Sequence, residues 1–189
     1  MPRPRLNTAM VVDHAAQMLD ERGSAGFNLA ALAESLDVRI PSLYKHIEGM
    51  PGLRRGIMIQ AKASLAHALG QAAIGRSRDD AIERMSFAYR RWALEHPGQY
   101  PMTVHAPAPG DDEDLKVSSA IADVVYNVLA GYDLRDDDAV DATRFLRSAL
   151  HGFVALETSG GFELPVDLER SFMRLVTSVV TALASWSGS

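Results

Sequence analysis

The residues best suited to chemistry lie in one short segment near the amino end. Pro41, Ser42, Lys45 and His46 are small, hydrogen-bonding or cationic, and the predicted helical spacing leaves them on its outer face. Tyr44 adds an aromatic ring for packing and a hydroxyl that can reach a phosphate. A helix that enters the major groove of DNA needs such an outer face together with an apolar inner one. The segment therefore predicts a DNA-contacting surface.

The inner face and the flanking charges of this segment agree with that prediction. Leu43 and Ile47 are four residues apart and are expected to point inward, with Ile40 completing the stripe. Arg54 and Arg55 place positive charge where a DNA backbone would pass. The full set of predicted DNA-contacting residues is Asn28, Arg39, Pro41, Ser42, Tyr44, Lys45, His46, Arg54 and Arg55. Arg3 and Arg5 form a basic arm that is a weaker candidate.

The elements that must position this surface are helices, because apolar residues recur mostly at three- and four-residue spacing. We expect a first helix over 8–22, a second short helix capped by Asn28, and a third from Ile40 to His46. Two short helices joined by a tight turn behind a longer helix are typical of a helix-turn-helix unit. A long helix then runs to about Ala73.

The remaining pattern is also helical and makes the predicted fold all-α with about nine helices. A break at 75–77 separates two regions. The further helical segments are expected at about 78–96, 99–104, 113–130, 136–158 and 165–186. We expect a helix-turn-helix DNA-binding domain over 1–52, a connecting helix over 53–75, and a larger ligand-sensing and dimerisation domain over 76–189.

Composition excludes several classes of protein. The 189-residue chain is 47% hydrophobic, so it can bury a core, and it has no cysteine, which excludes disulfides, a thiol nucleophile and cysteine-ligated metal. No signal peptide or membrane span is evident, so we expect a cytoplasmic protein. The net charge of −5 argues against nucleic-acid binding only as an average, because residues 1–62 carry +2 and residues 63–189 carry −7.

The amino-terminal segment resembles the TetR-type transcriptional regulators over about 8–53. The matching residues are Ala15, Ala16, Leu19, Gly23, Gly26, Phe27, Leu32, Ala33, Leu36, Val38, Pro41, Ser42, Leu43, Tyr44, Lys45 and His46. The resemblance implies that 40–46 is the recognition helix and that Tyr44 and His46 contact phosphates. It also implies that Pro41 and Ser42 meet base edges or thymine methyl groups, and that Lys45 meets a base or a phosphate.

Three positions depart from that family pattern. Asp37 stands where a glycine is usual, and Asn28 replaces the usual capping threonine, whose role it can fill. Met50 takes the place of a lysine that commonly binds a phosphate, and Arg54 or Arg55 could substitute for it.

The larger region offers bulky aromatic and thioether groups on several helices, which could converge on an apolar ligand pocket. The predicted pocket residues are Met85, Tyr89, Trp92, Tyr100, Met102, His105, Tyr126, Phe145 and Phe153. The alternative is that they fill the hydrophobic core. The stretches 89–100 and 150–157 resemble the carboxy-terminal domain of a TetR subgroup, which implies a response to a small molecule that the sequence does not identify.

Two long amphipathic helices at the carboxy end suit a self-complementary four-helix interface. The predicted interface residues are Leu146, Leu150, Phe172, Leu175, Val176, Val179, Val180 and Leu183. A dimer has a functional reason, since two recognition helices about one DNA turn apart, roughly 34–36 Å, can read a palindrome.

These patterns predict a homodimeric regulator, most simply a repressor, that a small apolar or amphipathic effector releases from double-stranded DNA. No catalytic constellation, metal-ligand spacing or cofactor motif is evident, so we expect no enzyme activity, no cofactor and no metal. The acidic run 111–114 is expected to be a solvated helix start. The alternatives are a helical ligand-binding or scaffold protein without DNA binding and, less favoured, a small helical enzyme.

Overall fold

The computed structural model describes residues 6–186, and within them it contains helices and turns but no strand. The eight α-helices are α1 Thr8–Arg22, α2 Leu29–Ser35, α3 Ile40–Leu43, α4 Gly49–Ala73, α5 Arg78–Glu95, α6 Asp112–Leu129, α7 Asp136–Thr158 and α8 Leu168–Trp186. Two short 3-10 turns cover Tyr100–Val104 and Ala130–Tyr132. The all-α prediction is confirmed, with eight α-helices in the described residues where about nine helices were expected. Arg3 and Arg5 lie outside the described residues.

Side-chain caps explain where the first helices begin. The Asn7 side chain accepts a hydrogen bond from the Met10 amide before α1, and Asn28 accepts one from the Ala31 amide before α2. Each cap satisfies a backbone N–H that has no partner inside the helix. Gly23 ends α1 with a positive φ of 66°, which a residue without a Cβ adopts at little steric cost. The capping role predicted for Asn28 is confirmed.

The turn between α2 and α3 uses a left-handed residue. Asp37 has a φ of 54°, a backbone conformation that favours glycine and that aspartate tolerates better than most residues. This geometry explains why an aspartate can occupy a position where glycine is usual. The left-handed residue changes the direction of the chain between α2 and α3. After it, Val38 donates its amide hydrogen to the Ala33 carbonyl.

The predicted recognition helix is shorter than expected. Regular α-helix covers only Ile40–Leu43, and the chain continues as a turn through His46. In this turn the His46 and Ile47 amides both donate to the Leu43 carbonyl oxygen, at 2.8 and 3.1 Å. The segment is therefore still coiled through His46, although its last part is not regular α-helix.

Two hydrophobic clusters form the interior, and α4 contributes to both. The amino-terminal cluster holds α1 to α3 together and includes Leu53 and Ile57 of α4. The carboxy-terminal cluster joins α5 to α8 and includes Ala61, Leu65 and Leu69 of α4. One continuous helix thus connects the short-helix unit to the larger helical body.

A second connection joins the two clusters where α1 ends. The Asp20 carboxylate accepts hydrogen bonds from the backbone amides of Gly98 and Gln99, at 2.9 and 3.0 Å, and from the Gln99 side chain. The His96 ring lies 3.0 Å from the same carboxylate. The backbone at Gly98 approaches α1 so closely that an added Cβ would lie 2.3 Å from the Leu19 carbonyl oxygen.

None of the helices in residues 6–186 is both long enough and apolar enough to cross a membrane.

Candidate DNA-binding face and ligand cavity

The predicted outer face of the third helical segment is accessible. Tyr44 is 57% exposed. Pro41 and Lys45 are exposed beside it, while Ser42 and His46 are partly buried. On the inner side, Leu43 and Ile47 belong to the amino-terminal cluster, as predicted. The segment therefore has one packed side and one polar, solvent-facing side.

Ile40 was placed on the inner side by its spacing, and this prediction is wrong. It is 40% exposed, because α3 begins at Ile40 and the cluster is already closed by Leu43 and Ile47. Exposed isoleucine beside Pro41 offers apolar surface of the kind that contacts a thymine methyl group. The signal that could have found it is its position at the first turn of a short helix, where few inner contacts are available.

Three further predicted DNA contacts lie in the helix-turn-helix unit and at the start of α4. Asn28 uses its side-chain oxygen to cap α2, and Arg39 is exposed immediately before α3. Arg54 is exposed and its guanidinium lies 5.6 Å from the Phe27 ring centroid, at the start of α4. All three are exposed, and Arg39 adjoins the exposed face directly in sequence.

Arg55 is committed to contacts inside the protein instead. Its guanidinium pairs with Asp111 at 2.6 Å and with Glu113 at 2.9 Å. The hydrogen-bonded guanidinium lowers the pKa of Asp111 to about 2, so this carboxylate stays charged at neutral pH. Arg55 was predicted as a DNA contact, but the structure uses it to hold α4 against the start of α6.

A cavity of about 230 Å³ opens between α4, α5, α6 and α7 beside the 3-10 turn. Its wall is mainly aliphatic and carries a few polar groups. The lining residues are Leu65, Leu69, Met85, Tyr89, Thr103, Val104, His105, Ala106, Pro107, Ser118, Ile121, Ala122, Val125, Thr143, Leu146, Arg147 and Leu150. This volume and this wall are suited to a small, mostly apolar ligand.

Three of the nine predicted pocket residues, Met85, Tyr89 and His105, line this cavity. The other six do not: four of them are aromatic side chains in or against the core, and two lie at the edges of the fold. The residues that lie elsewhere are Trp92, Tyr100, Met102, Tyr126, Phe145 and Phe153.

The interior aromatic residues among the six are fixed by specific contacts. Trp92 donates its indole N–H to Ser64 at 3.0 Å. Phe145 packs against Trp186, and Phe153 packs against Phe172, with centroid distances of 5.6 and 5.1 Å. These side chains form core contacts on α4, α5, α7 and α8.

Two more of the six lie at the edges of the fold. Met102 packs against the amino-terminal cluster, and Tyr126 is exposed on α6.

Tyr100 lies directly behind the cavity wall. Its hydroxyl is 2.9 Å from the Tyr89 hydroxyl and 2.6 Å from Nδ1 of His151. Burial raises the pKa of both phenols, so both hydroxyls stay protonated at neutral pH. The Tyr89 hydroxyl is therefore held in a chain of hydrogen bonds that leads away from the cavity.

A buried lysine joins the cavity wall to α4. Lys62 is 1% exposed, and its ammonium group donates to Asp114 at 2.5 Å, to Ser118 at 3.0 Å and to the His105 carbonyl at 2.9 Å. These contacts use all three N–H donors of the ammonium. Asp114 is itself buried, which corrects the expectation that the acidic run is simply solvated. Sequence reasoning did not identify Lys62.

Most of the predicted dimer-interface residues are unavailable to a partner. Leu146, Leu150, Phe172, Val176, Val179, Val180 and Leu183 are buried in the carboxy-terminal cluster of the single chain. Leu175 is the one partly buried member. For the seven buried residues the structure corrects the prediction, because their apolar stripes pack against α5 and against each other; Leu175 stays a prediction.

The comparisons with known proteins agree with this geometry. Residues 82–179 match the family described as tetracyclin repressor-like, C-terminal domain. An HTH-type transcriptional regulator of Mycobacterium tuberculosis is 33% identical over 95% of this chain and 82% of its own length. The HTH-type regulator YobS of Bacillus subtilis is 34% identical over 96% of this chain and 95% of its own length.

Among solved structures, the TetR family protein ActR of Streptomyces coelicolor, in complex with (S)-DNPA, has a similar fold. The TM-score is 0.68 at 17% identity, and the match covers 97% of this chain and all of that one.

An all-helical chain with an exposed helix-turn-helix face and a separate, cavity-bearing helical body defines the class of helix-turn-helix transcriptional regulators. Within that class, the family match and the two relatives identify the family. The chain belongs to the TetR family of transcriptional regulators, which are DNA-binding proteins and not enzymes. Members of this family bind small-molecule ligands.

Proposed function

We propose that this protein is a homodimeric repressor that leaves a palindromic operator when a small apolar or amphipathic ligand fills its cavity. The observation that carries the proposal is the direct connection between the cavity wall and the helix-turn-helix unit through α4. A ligand changes operator affinity only if it binds the two conformations of the dimer unequally. The contacts of Lys62 provide a physical route for such a difference.

The proposed route runs from the cavity wall to Lys62 and then along α4 to the amino-terminal cluster. Ser118 and His105 line the cavity, and both also contact the Lys62 ammonium. Lys62 belongs to α4, one and a half turns after Ile57, which is part of the amino-terminal cluster. A ligand that displaces the wall at Ser118 therefore changes the position of α4, and with it the spacing of the two recognition segments in a dimer.

The proposed functional division keeps a DNA-binding domain at 1–52, a connecting helix at 53–75 and a sensing and dimerisation domain at 76–189. Two separate hydrophobic clusters support it. Leu53 and Ile57, at the start of the connecting segment, still pack in the amino-terminal cluster. The start of α4 therefore moves with the DNA-binding unit.

For the dimer, we propose the outer faces of α7 and α8. Gly152 lies inside α7, where glycine costs about 0.5–1 kcal/mol relative to alanine, yet a Cβ there would meet nothing within 4 Å. Leu156, one turn later, is 49% exposed, and Met173 on α8 is 52% exposed. A surface of small and apolar side chains suits the close approach of a second copy.

The proposed DNA contacts are Asn28, Arg39, Pro41, Ser42, Tyr44, Lys45, His46 and Arg54, to which we add Ile40. Titrating DNA from the region upstream of the protein's own gene against the purified chain, by fluorescence anisotropy, tests them. Lys45→Ala is expected to weaken binding by about tenfold, since one lost base or phosphate contact is worth roughly 1–3 kcal/mol.

Lys116→Ala is the matched control, because Lys116 is an exposed lysine on α6 of the larger body. It should leave the affinity unchanged. If the wild-type chain shows no salt-sensitive, sequence-selective binding to this DNA, a helical ligand-binding or scaffold protein without DNA binding becomes the better description.

Gly152→Arg is expected to convert the dimer to a monomer. An arginine there would place a long, charged side chain where the partner backbone approaches, and a buried unpaired charge is strongly unfavourable. The molar mass from light scattering should fall from about twice to once the 20.5 kDa chain. Ala120→Arg, on an exposed position of α6, should remain dimeric. A dimer that survives Gly152→Arg would contradict this interface.

A further inference from the structure

The cavity contains one cation that has no acidic partner. Arg147 of α7 lines the cavity mouth, where it donates to the Val104 carbonyl oxygen at 2.7 Å. Within residues 6–186 no Asp or Glu forms an ion pair with it, whereas Lys62, Arg55 and Arg90 each pair with carboxylates. A guanidinium has five N–H donors, so Arg147 can still bind an anion through two parallel hydrogen bonds.

The hydroxyl groups on the cavity wall already donate their hydrogens to protein acceptors and are not free to donate to a ligand. Thr103 donates to the Tyr100 carbonyl, Thr143 donates to the Ala139 carbonyl, and Ser118 donates to the Asp114 carboxylate. Their donor hydrogens are therefore used inside the protein. The Tyr89 hydroxyl is hydrogen-bonded to Tyr100, so the lining side chains left to receive a polar ligand end are Arg147 and the exposed imidazole of His105.

The charge and polarity of the cavity change from mouth to depth. Arg147 is exposed to solvent, while Leu65, Leu69 and Met85 are buried in the wall. The described part of the lining contains no carboxylate side chain. A ligand that keeps an anionic group at the mouth and buries an apolar tail avoids the penalty of taking a charge into the interior.

From these contacts we propose that the cavity takes an amphipathic monoanion, with its carboxylate at Arg147 and an apolar tail among Leu65, Leu69 and Met85. This inference rests on the proposed role of the cavity as the effector site. A dry cavity of 150 Å³ holds benzene, so 230 Å³ corresponds to a ligand of about nine or ten non-hydrogen atoms. Linear alkanoates and arylalkanoates of this size share the required chemistry.

The test compares three probes of nearly equal length and different charge: octanoate, 1-octanol and octylammonium. Isothermal titration calorimetry on the full chain should show octanoate binding most tightly and octylammonium least. Arg147→Gln should weaken octanoate binding by about tenfold or more and leave octanol binding unchanged. 3-Phenylpropanoate, measured alongside, distinguishes an aryl tail from a linear one.

Arg144→Gln is the matched control. Arg144 lies one turn earlier on α7, is largely exposed and pairs with Asp141 at 3.1 Å, so its loss should alter the affinity of none of the probes. Equal affinities for octanoate and octanol, unaffected by Arg147→Gln, would overturn the proposed ligand class and leave the cavity as a binding site. Failure of all four probes to bind would overturn both the proposed ligand class and the role of the cavity as a binding site. Octanoate that binds without changing DNA affinity would support the ligand class and contradict the effector role.

Discussion

Replacing Lys62 with methionine is expected to lower the free energy of unfolding by about 3–5 kcal/mol. Methionine is close to lysine in length and suits an apolar site, so lost packing contributes little. The effect comes from Asp114, whose carboxylate is buried and would lose the ammonium 2.5 Å away. Chemical denaturation by urea, followed by circular dichroism, measures the difference.

The double variant Lys62→Met/Asp114→Leu separates this electrostatic effect from general damage to the fold. Replacing a buried ion pair by apolar groups is often close to neutral, so the double variant should recover most of the lost stability. Lys116→Met, an exposed lysine on α6, should change stability by no more than about 0.5 kcal/mol. If the double variant is less stable than Lys62→Met, the pair is not the source of the effect.

Gly98→Ala is expected to separate the helix-turn-helix unit from the larger helical body. The new Cβ would lie 2.3 Å from the Leu19 carbonyl oxygen and 2.8 Å from the Asp20 amide nitrogen, and both are backbone atoms that cannot rotate away. The backbone must move apart, and the hydrogen bonds from Gly98 and Gln99 to Asp20 would break. We expect a loss of about 3 kcal/mol or more, at the upper end of overpacking effects.

Hydrogen exchange and urea denaturation should show this loss, with the protection of the α1 amides decreasing first. Gly70→Ala is the matched control, because Gly70 lies in α4 and its Cβ would meet Val124 at an ordinary 3.7 Å. It should stabilise α4 by about 0.5–1 kcal/mol. If Gly98→Ala has wild-type stability and wild-type hydrogen exchange, the contact between Gly98 and the end of α1 does not hold the helix-turn-helix unit to the larger helical body.

Local sequence signals were sufficient to predict the elements of the fold. Both ends of α1 and of α7 were predicted at the residues observed, because Gly23 stops the first and an acidic turn begins the second. Asn28 marked the start of α2 by the same kind of local rule. Such signals lie within a few residues of the boundary that they determine.

The parts that the sequence could not provide depend on distant contacts. Lys62 and Asp114 are 52 positions apart, and neither residue type signals burial. The apolar stripe of α8 was predicted to face a partner, but an amphipathic stripe does not distinguish a partner chain from the chain's own core. Arg147 was missed for a related reason, since only the folded chain shows that this arginine lines the cavity and forms no ion pair within the described residues.

The continuity of α4 affects how this regulator could be recombined with its relatives. The helix carries Ile57 in one hydrophobic cluster and Ala61 in the next, so a graft that exchanges only the DNA-reading part is best joined between them. The acceptor would also have to supply the glycine and amides that bind Asp20, and the carboxylates that bind Arg55. An exchange of DNA specificity between relatives is therefore constrained by the few contacts that join the DNA-binding unit to the larger helical body, and not by the cavity.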